Sequence, residues 1–102
     1  MTLIICIVSK YLHYFNKMSF PLYDKLLDEK PKHSYEQACR TIDMLNVEHH
    51  EIIYLLIYHH CALNEQKLPP SERIGKSYKF DMKKMDKTLR RVLRCYINYL
   101  DD

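Results

Sequence analysis

The chain has 102 residues, is 47% hydrophobic and carries a formal charge of +3 at pH 7, which leaves room for one small domain with its own core and none for a second. A single glycine and no tryptophan are poor material for the glycine-rich loops that cradle phosphates, so nucleotide-dependent catalysis is disfavoured. The charge is uneven. Leu22–Gln66 holds eight acidic and four basic side chains, whereas Lys67–Leu100 holds three acidic and ten basic, so an acidic partner would be drawn to the last third.

The longest purely apolar run, Leu3–Val8, is far short of the roughly 20 residues that cross a bilayer. Tyr11, His13 and Lys17 follow it in place of a small-residue cleavage site, so no membrane association is expected and the protein reads as soluble and intracellular. Met18-Ser-Phe-Pro-Leu has the look of a natural start. Met1–Lys17 is accordingly expected to be a weakly ordered extension or an over-extended reading frame. Residues 1–33 are set apart as an extension with one short helix, and residues 34–102 as the domain proper.

Pro21 suits a first helical turn, and Leu22, Leu26 and Leu27 share a face of the short helix it opens. Lys30-Pro31-Lys32 breaks that helix. Ser34 and Gln37 have capping-box spacing and predict a helix from Tyr35 to about Leu45, with Tyr35, Ala38, Cys39, Ile42 and Leu45 inward. Asn46 caps the next helix, from Val47 to about Ala62, whose stretch Ile52–Tyr58 is apolar nearly all round and marks the centre of the core. Asn64–Lys76, with Pro69-Pro70 and Gly75, reads as a polar loop. Ser77–Met82 alternates polar and apolar, as a half-buried strand does. Asp86 caps a last helix to about Leu100, with Leu89, Val92, Leu93, Tyr96, Tyr99 and Leu100 on its apolar side. Lys87, Arg90, Arg91 and Arg94 fall on the opposite side.

Helix, helix, loop, single exposed strand, helix is an uncommon order, and over about Tyr35–Leu100 the chain resembles the extraterminal (NET) domain of bromodomain-and-extraterminal proteins. The resemblance rests on Tyr35-Glu36 at the opening of the first helix, on Ile42, Leu45 and Glu48 at its end and in the turn to the second, on Tyr78-x-Phe80-Asp81-Met82-x-x-Met85 in the strand, and on Thr88-Leu-Arg90 at the start of the last helix. The chain is similar as well to small stand-alone proteins of this type encoded by some large DNA viruses. The fold implied is mostly α, a three-helix domain with one short exposed strand before the last helix.

The function implied is peptide binding by strand addition in a transcription or chromatin-related role, in the nucleus or a viral factory. Extended peptides pair with an unpaired strand edge and drop apolar side chains into pockets beside it. By carry-over, Tyr78, Phe80 and Met82 face the groove, Ser77, Lys79 and Asp81 face out, and His50, Ile53 and Ile57 form the wall. Phe80→Asp is then expected to abolish capture while sparing the fold. The family's outer strand face is acidic and takes lysine-bearing peptides. Here Ser77 and Lys79 stand in that place and only Asp81 is kept, so the expected partner is an acidic-hydrophobic peptide, with Lys79 as the reader of its charge.

A second class of function, nucleic-acid binding, would use Lys83, Lys84, Lys87, Arg90, Arg91 and Arg94 as a basic face on phosphates. The bland alternative for the same residues is a solvated helix side. His49 and His50 lie about 15 Å along their helix from His59 and His60, and no metal-ligand spacing occurs, so no metal or other cofactor is expected. Cys6, Cys39, Cys61 and Cys95 each sit in apolar sequence, as reduced core cysteines do. No serine or cysteine has a recognisable base and orienting acid beside it, and no enzyme is expected.

Overall fold

The computed structural model describes residues 2–6 and 21–101. In chain order the elements are β1 (Thr2–Cys6), α1 (Pro21–Leu27), α2 (Tyr35–Met44), α3 (Val47–Leu63), β2 (Ser71–Ile74), β3 (Ser77–Asp81), a 3₁₀ turn at Met82–Lys84 and α4 (Lys87–Asp101). Among the described residues, four helices pack with a small antiparallel sheet in the order β1-β3-β2.

The helix ends follow local chemistry. Ser34 Oγ accepts from the Gln37 amide while Gln37 Oε1 accepts from the Ser34 amide, which completes the capping box of α2. Asn46 accepts from the His49 amide at the start of α3, and Asp86 accepts from the Leu89 amide at the start of α4 at 2.8 Å. The far end of α3 closes with two reverse bonds, Gln66 N–H to the Cys61 carbonyl and Glu65 N–H to the Ala62 carbonyl. This is the Schellman arrangement, and it places Glu65 at φ 53°, the left-handed conformation in which glycine is the usual residue.

Two strands appear where none was expected, and they change the reading of β3. Ser71–Ile74 lies within the stretch read as a loop, yet it pairs with β3 through a two-residue turn whose first residue, Gly75, has φ +60°. A positive φ there belongs to the II′ turn whose twist matches paired strands. On the other side, Thr2–Cys6 pairs antiparallel with β3, with Ile5 opposite Tyr78 and Ile4 opposite Lys79. The single exposed strand is therefore the centre of a three-stranded sheet.

One core joins residues on both sides of position 33. Ile5, Tyr23 and Leu26 share a buried cluster with Ala38, Ile42, Ile53, Leu56, Ile57, Phe80 and Met82, and with the inner face of α4. The reading of Met1–Lys17 as an extension falls mostly outside the described residues. Its described part, Thr2–Cys6, is a strand of the sheet. Cys39, Cys61 and Cys95 are buried and unbridged. Among the described residues, no helix is long and apolar enough to cross a membrane.

Candidate peptide-binding seam

β3 ends at Asp81, one residue short of the expected strand, and Met82 opens the 3₁₀ turn; the inward residues of both meet core instead of an open groove. Phe80 and Met82 are each 1% exposed, and the expected wall residues Ile53 and Ile57 are fully buried. Tyr78 is half-buried, its ring 6.0 Å from that of Tyr54, and Tyr54 in turn lies 6.4 Å from the Phe80 ring. Burial pushes the Tyr54 phenol above its ordinary pKa, with Tyr78 and Tyr58 adding to the shift. Met82 Sδ sits 3.0 Å from the Cys39 thiol. His50, also expected in the wall, is buried and donates from Nε2 to the Ile42 carbonyl at 2.6 Å. It thereby steadies the end of α2. The residues named for the groove are thus brought together, but as a filled core.

The occupant that fills it is β1, which lies between β3 and the pair α2 and α3. Ile4 turns its N–H outward, where Asp43 Oδ1 accepts it at 3.0 Å. In an antiparallel ladder successive residues alternate between the two edges, so the bonds to β3 come from Leu3 and Ile5, opposite Phe80 and Tyr78. Ile5 is completely buried while Ile4 is 42% exposed. A strand remote in sequence thus has its inner edge in the ladder, one side chain in the core and its outer edge met by a carboxylate. Sequence reasoning missed Asp43, although it carried a signal. A carboxylate in the last turn of a helix faces the negative end of the dipole, a position that costs about 0.3–1 kcal/mol.

Lys79 and Asp81 lie on the outer face, as expected. With Pro70, Ser71, Glu72 and Lys84 they line an open hollow of about 280 Å³. Glu72 stands directly across the ladder from Lys79. Asp81 also caps the 3₁₀ turn, accepting from the Lys83 amide at 3.0 Å.

The basic face of α4 departs from expectation. Lys83 and Lys84 fall on the 3₁₀ turn before α4 and, like Lys87 at its start, are exposed, but the arginines are engaged within the fold. Arg91 donates to the Leu27 carbonyl at the end of α1, and Arg94 donates from Nε to the His33 carbonyl at 2.8 Å. The Arg90 and Arg94 guanidinium groups lie over the Tyr35 ring at 5.3 and 4.3 Å. A helical wheel places these side chains on one side and cannot see the carbonyls and ring waiting there. Asn98 completes the set, buried between the Lys30 carbonyl and the Lys32 amide.

A second polar cluster ties α1, α3 and α4 together. The Tyr23 hydroxyl meets His60 Nδ1 at 2.6 Å, and His60 Nε2 meets Asp86 Oδ2 at 2.7 Å. Burial raises the Asp86 pKa, but the Leu89 amide and His60 outweigh it and hold the carboxyl below its ordinary value. A carboxylate only accepts, so Nε2 carries a proton; in neutral His60, Nδ1 is then the acceptor and the Tyr23 hydroxyl donates. Burial, foremost among the causes, raises the Tyr23 pKa, which is the wrong direction for an activated nucleophile. Among the described residues, no group of three or more His, Cys, Asp or Glu is placed to hold a metal ion.

Comparison of the chain with protein-family models, with curated proteins and with solved structures returned no match.

Proposed function

We propose that this chain is a non-enzymatic protein-interaction module whose working surface is the seam between β3 and the helices α2 and α3, a seam that accepts an extended segment as an added strand. The observation that carries the reading is β1 itself. A short strand remote in sequence sits in the seam with ladder bonds toward Tyr78 and Phe80, a buried apolar anchor at Ile5 and an amide held by Asp43, the features that strand-addition ligands use. The resemblance to the extraterminal domain, carried by Tyr35-Glu36 and the Tyr78–Met85 motif, supplies the transcription or chromatin-linked setting of the proposal.

Nucleic-acid binding by α4 is the less favoured reading, because Arg91 and Arg94 are spent on carbonyls within the fold. A titration of the isotope-labelled full chain with a peptide of the β1 sequence separates the two. Amide shifts centred on Asp43 and Tyr78–Asp81 are expected. Shifts absent from those residues, together with oligonucleotide binding that falls steeply with salt and perturbs Lys83–Arg94, would overturn the proposal.

A further inference from the structure

Resting on the strand-receptor reading above, we infer that β1 is a resident competitor for the seam, and that a partner protein gains it by strand exchange with an uncharged apolar segment. The seam's chemistry can be read from what it now holds. Opposite Tyr78 it takes a β-branched apolar side chain, Ile5, into full burial, and opposite Lys79 it takes the neutral Ile4. A charged residue at the Ile4 position would meet opposing demands. Lys79 directly across the ladder attracts an acid, but Asp43, whose carboxylate holds the amide of that same residue, repels one. Glu72 on the far side of Lys79 further reduces the cation's pull. The acidic preference read from Lys79 alone therefore cancels.

Competition follows from occupancy. The ladder groups of Tyr78 and Phe80 that an incoming strand needs are the ones opposite Ile5 and Leu3. A covalently joined strand acts at an effective concentration on the order of millimolar, so a free segment succeeds only after β1 departs. A partner with the same contacts and a longer flanking interface displaces it, and a change that loosens β1 raises affinity without touching the receptor surface.

The test uses the full chain in a Cys6→Ser background with Ile4→Cys and Lys79→Cys, a directly opposed pair whose side chains are close enough across the ladder to be bridged. The probe is a fluorescein-labelled peptide of residues 2–6 with Cys6→Ser, followed by anisotropy. Reduced protein should bind it, and oxidised protein, with β1 pinned, should bind at least about tenfold more weakly. Equal affinity in the two states would overturn the competition while leaving a peptide site elsewhere. No binding by reduced protein or by an Ile5→Ala chain would overturn the strand-receptor reading itself.

Against the wild-type chain, Ile4→Glu and Ile4→Lys peptides should agree within about threefold, because cross-ladder charge effects are small and here oppose one another. A tenfold advantage for either would show that one charge rules the position, overturning the neutral assignment. Disulfide-linked dimers formed through Ile4→Cys and Lys79→Cys would overturn the assignment to a partner protein and give the seam to a second copy.

Discussion

Cutting Ile5 back to alanine measures how firmly the first strand is held. The side chain is fully buried among core residues, and removing such a group from an unyielding site costs about 2–5 kcal/mol in lost transfer energy and residual cavity. A second limit applies here, because β1 lies at the edge of the sheet. Once its anchor is weakened, β1 can leave before the rest unfolds, so the loss in global stability stops at the free energy of docking β1. Phe80, in the central strand and 1% exposed, has no such exit, and Phe80→Ala should cost the full value of about 3–5 kcal/mol. Urea denaturation followed by circular dichroism gives both numbers. Amide exchange at Tyr78 and Phe80 reports β1 directly, and a loss of 2 kcal/mol should speed it about thirtyfold in Ile5→Ala, given that 1.4 kcal/mol is tenfold. A loss below about 0.5 kcal/mol with unchanged exchange would refute the docked strand. Phe80→Asp, which the sequence alone reads as sparing the fold, should unfold it, because the residue is core.

Three other outcomes follow from the geometry. Asp86 has a folded pKa below its unfolded value of about 3.9, so its contribution is present above the unfolded pKa and is lost as pH falls through the folded one; in Asp86→Asn the acid limb of a stability-against-pH curve should flatten. Tyr23→Phe removes the 2.6 Å partner of His60 Nδ1 in a buried site and leaves it only the Asn64 amide at 3.5 Å, which should cost about 1–3 kcal/mol in urea midpoint measurements, with wild-type stability refuting the Tyr23–His60–Asp86 cluster as a tie. Glu65→Gly relieves the left-handed φ of 53°, worth about 1–2 kcal/mol, less the roughly 0.4–1 kcal/mol that glycine's freer unfolded chain costs, and should raise stability by about 0.5–1 kcal/mol, a gain that would be absent if the Schellman turn does not form in solution.

The helices were legible in the sequence because their ends are set by nearest neighbours. Ser34 with Gln37, Asn46 and Asp86 each cap where spacing placed them. The strands were legible only where alternation is visible within one segment, as in Ser77–Asp81. Ser71–Ile74 is exposed along its whole length, so no burial pattern marks it, and only Gly75 hints at a hairpin. Leu3–Val8 reads locally as an apolar run too short to cross a membrane, and the pairing of Thr2–Cys6 with residues more than 70 positions away leaves no local trace. The site suffered most from that omission, since an edge that looks open in sequence is closed by a distant strand. For the arginines, position on the helix was right and environment was not, because backbone carbonyls have no side-chain signature.

The staple across the α1–α2 connection has a consequence for how this protein tolerates change. Arg91, Arg94 and Asn98 reach main-chain atoms of Leu27, His33, Lys30 and Lys32; a bond to a carbonyl is indifferent to the side chain that residue carries, and the one from the Lys32 amide excludes only proline. What the three donors measure is contour length, the spacing of backbone groups along the connection from Leu27 to His33. A library of variants should therefore treat the two sides of this contact asymmetrically: as far as these bonds are concerned, changes of side chain at Lys30 pass, one added or deleted residue in the connection is rejected, and the helix that reads it accepts almost nothing at positions 91, 94 and 98.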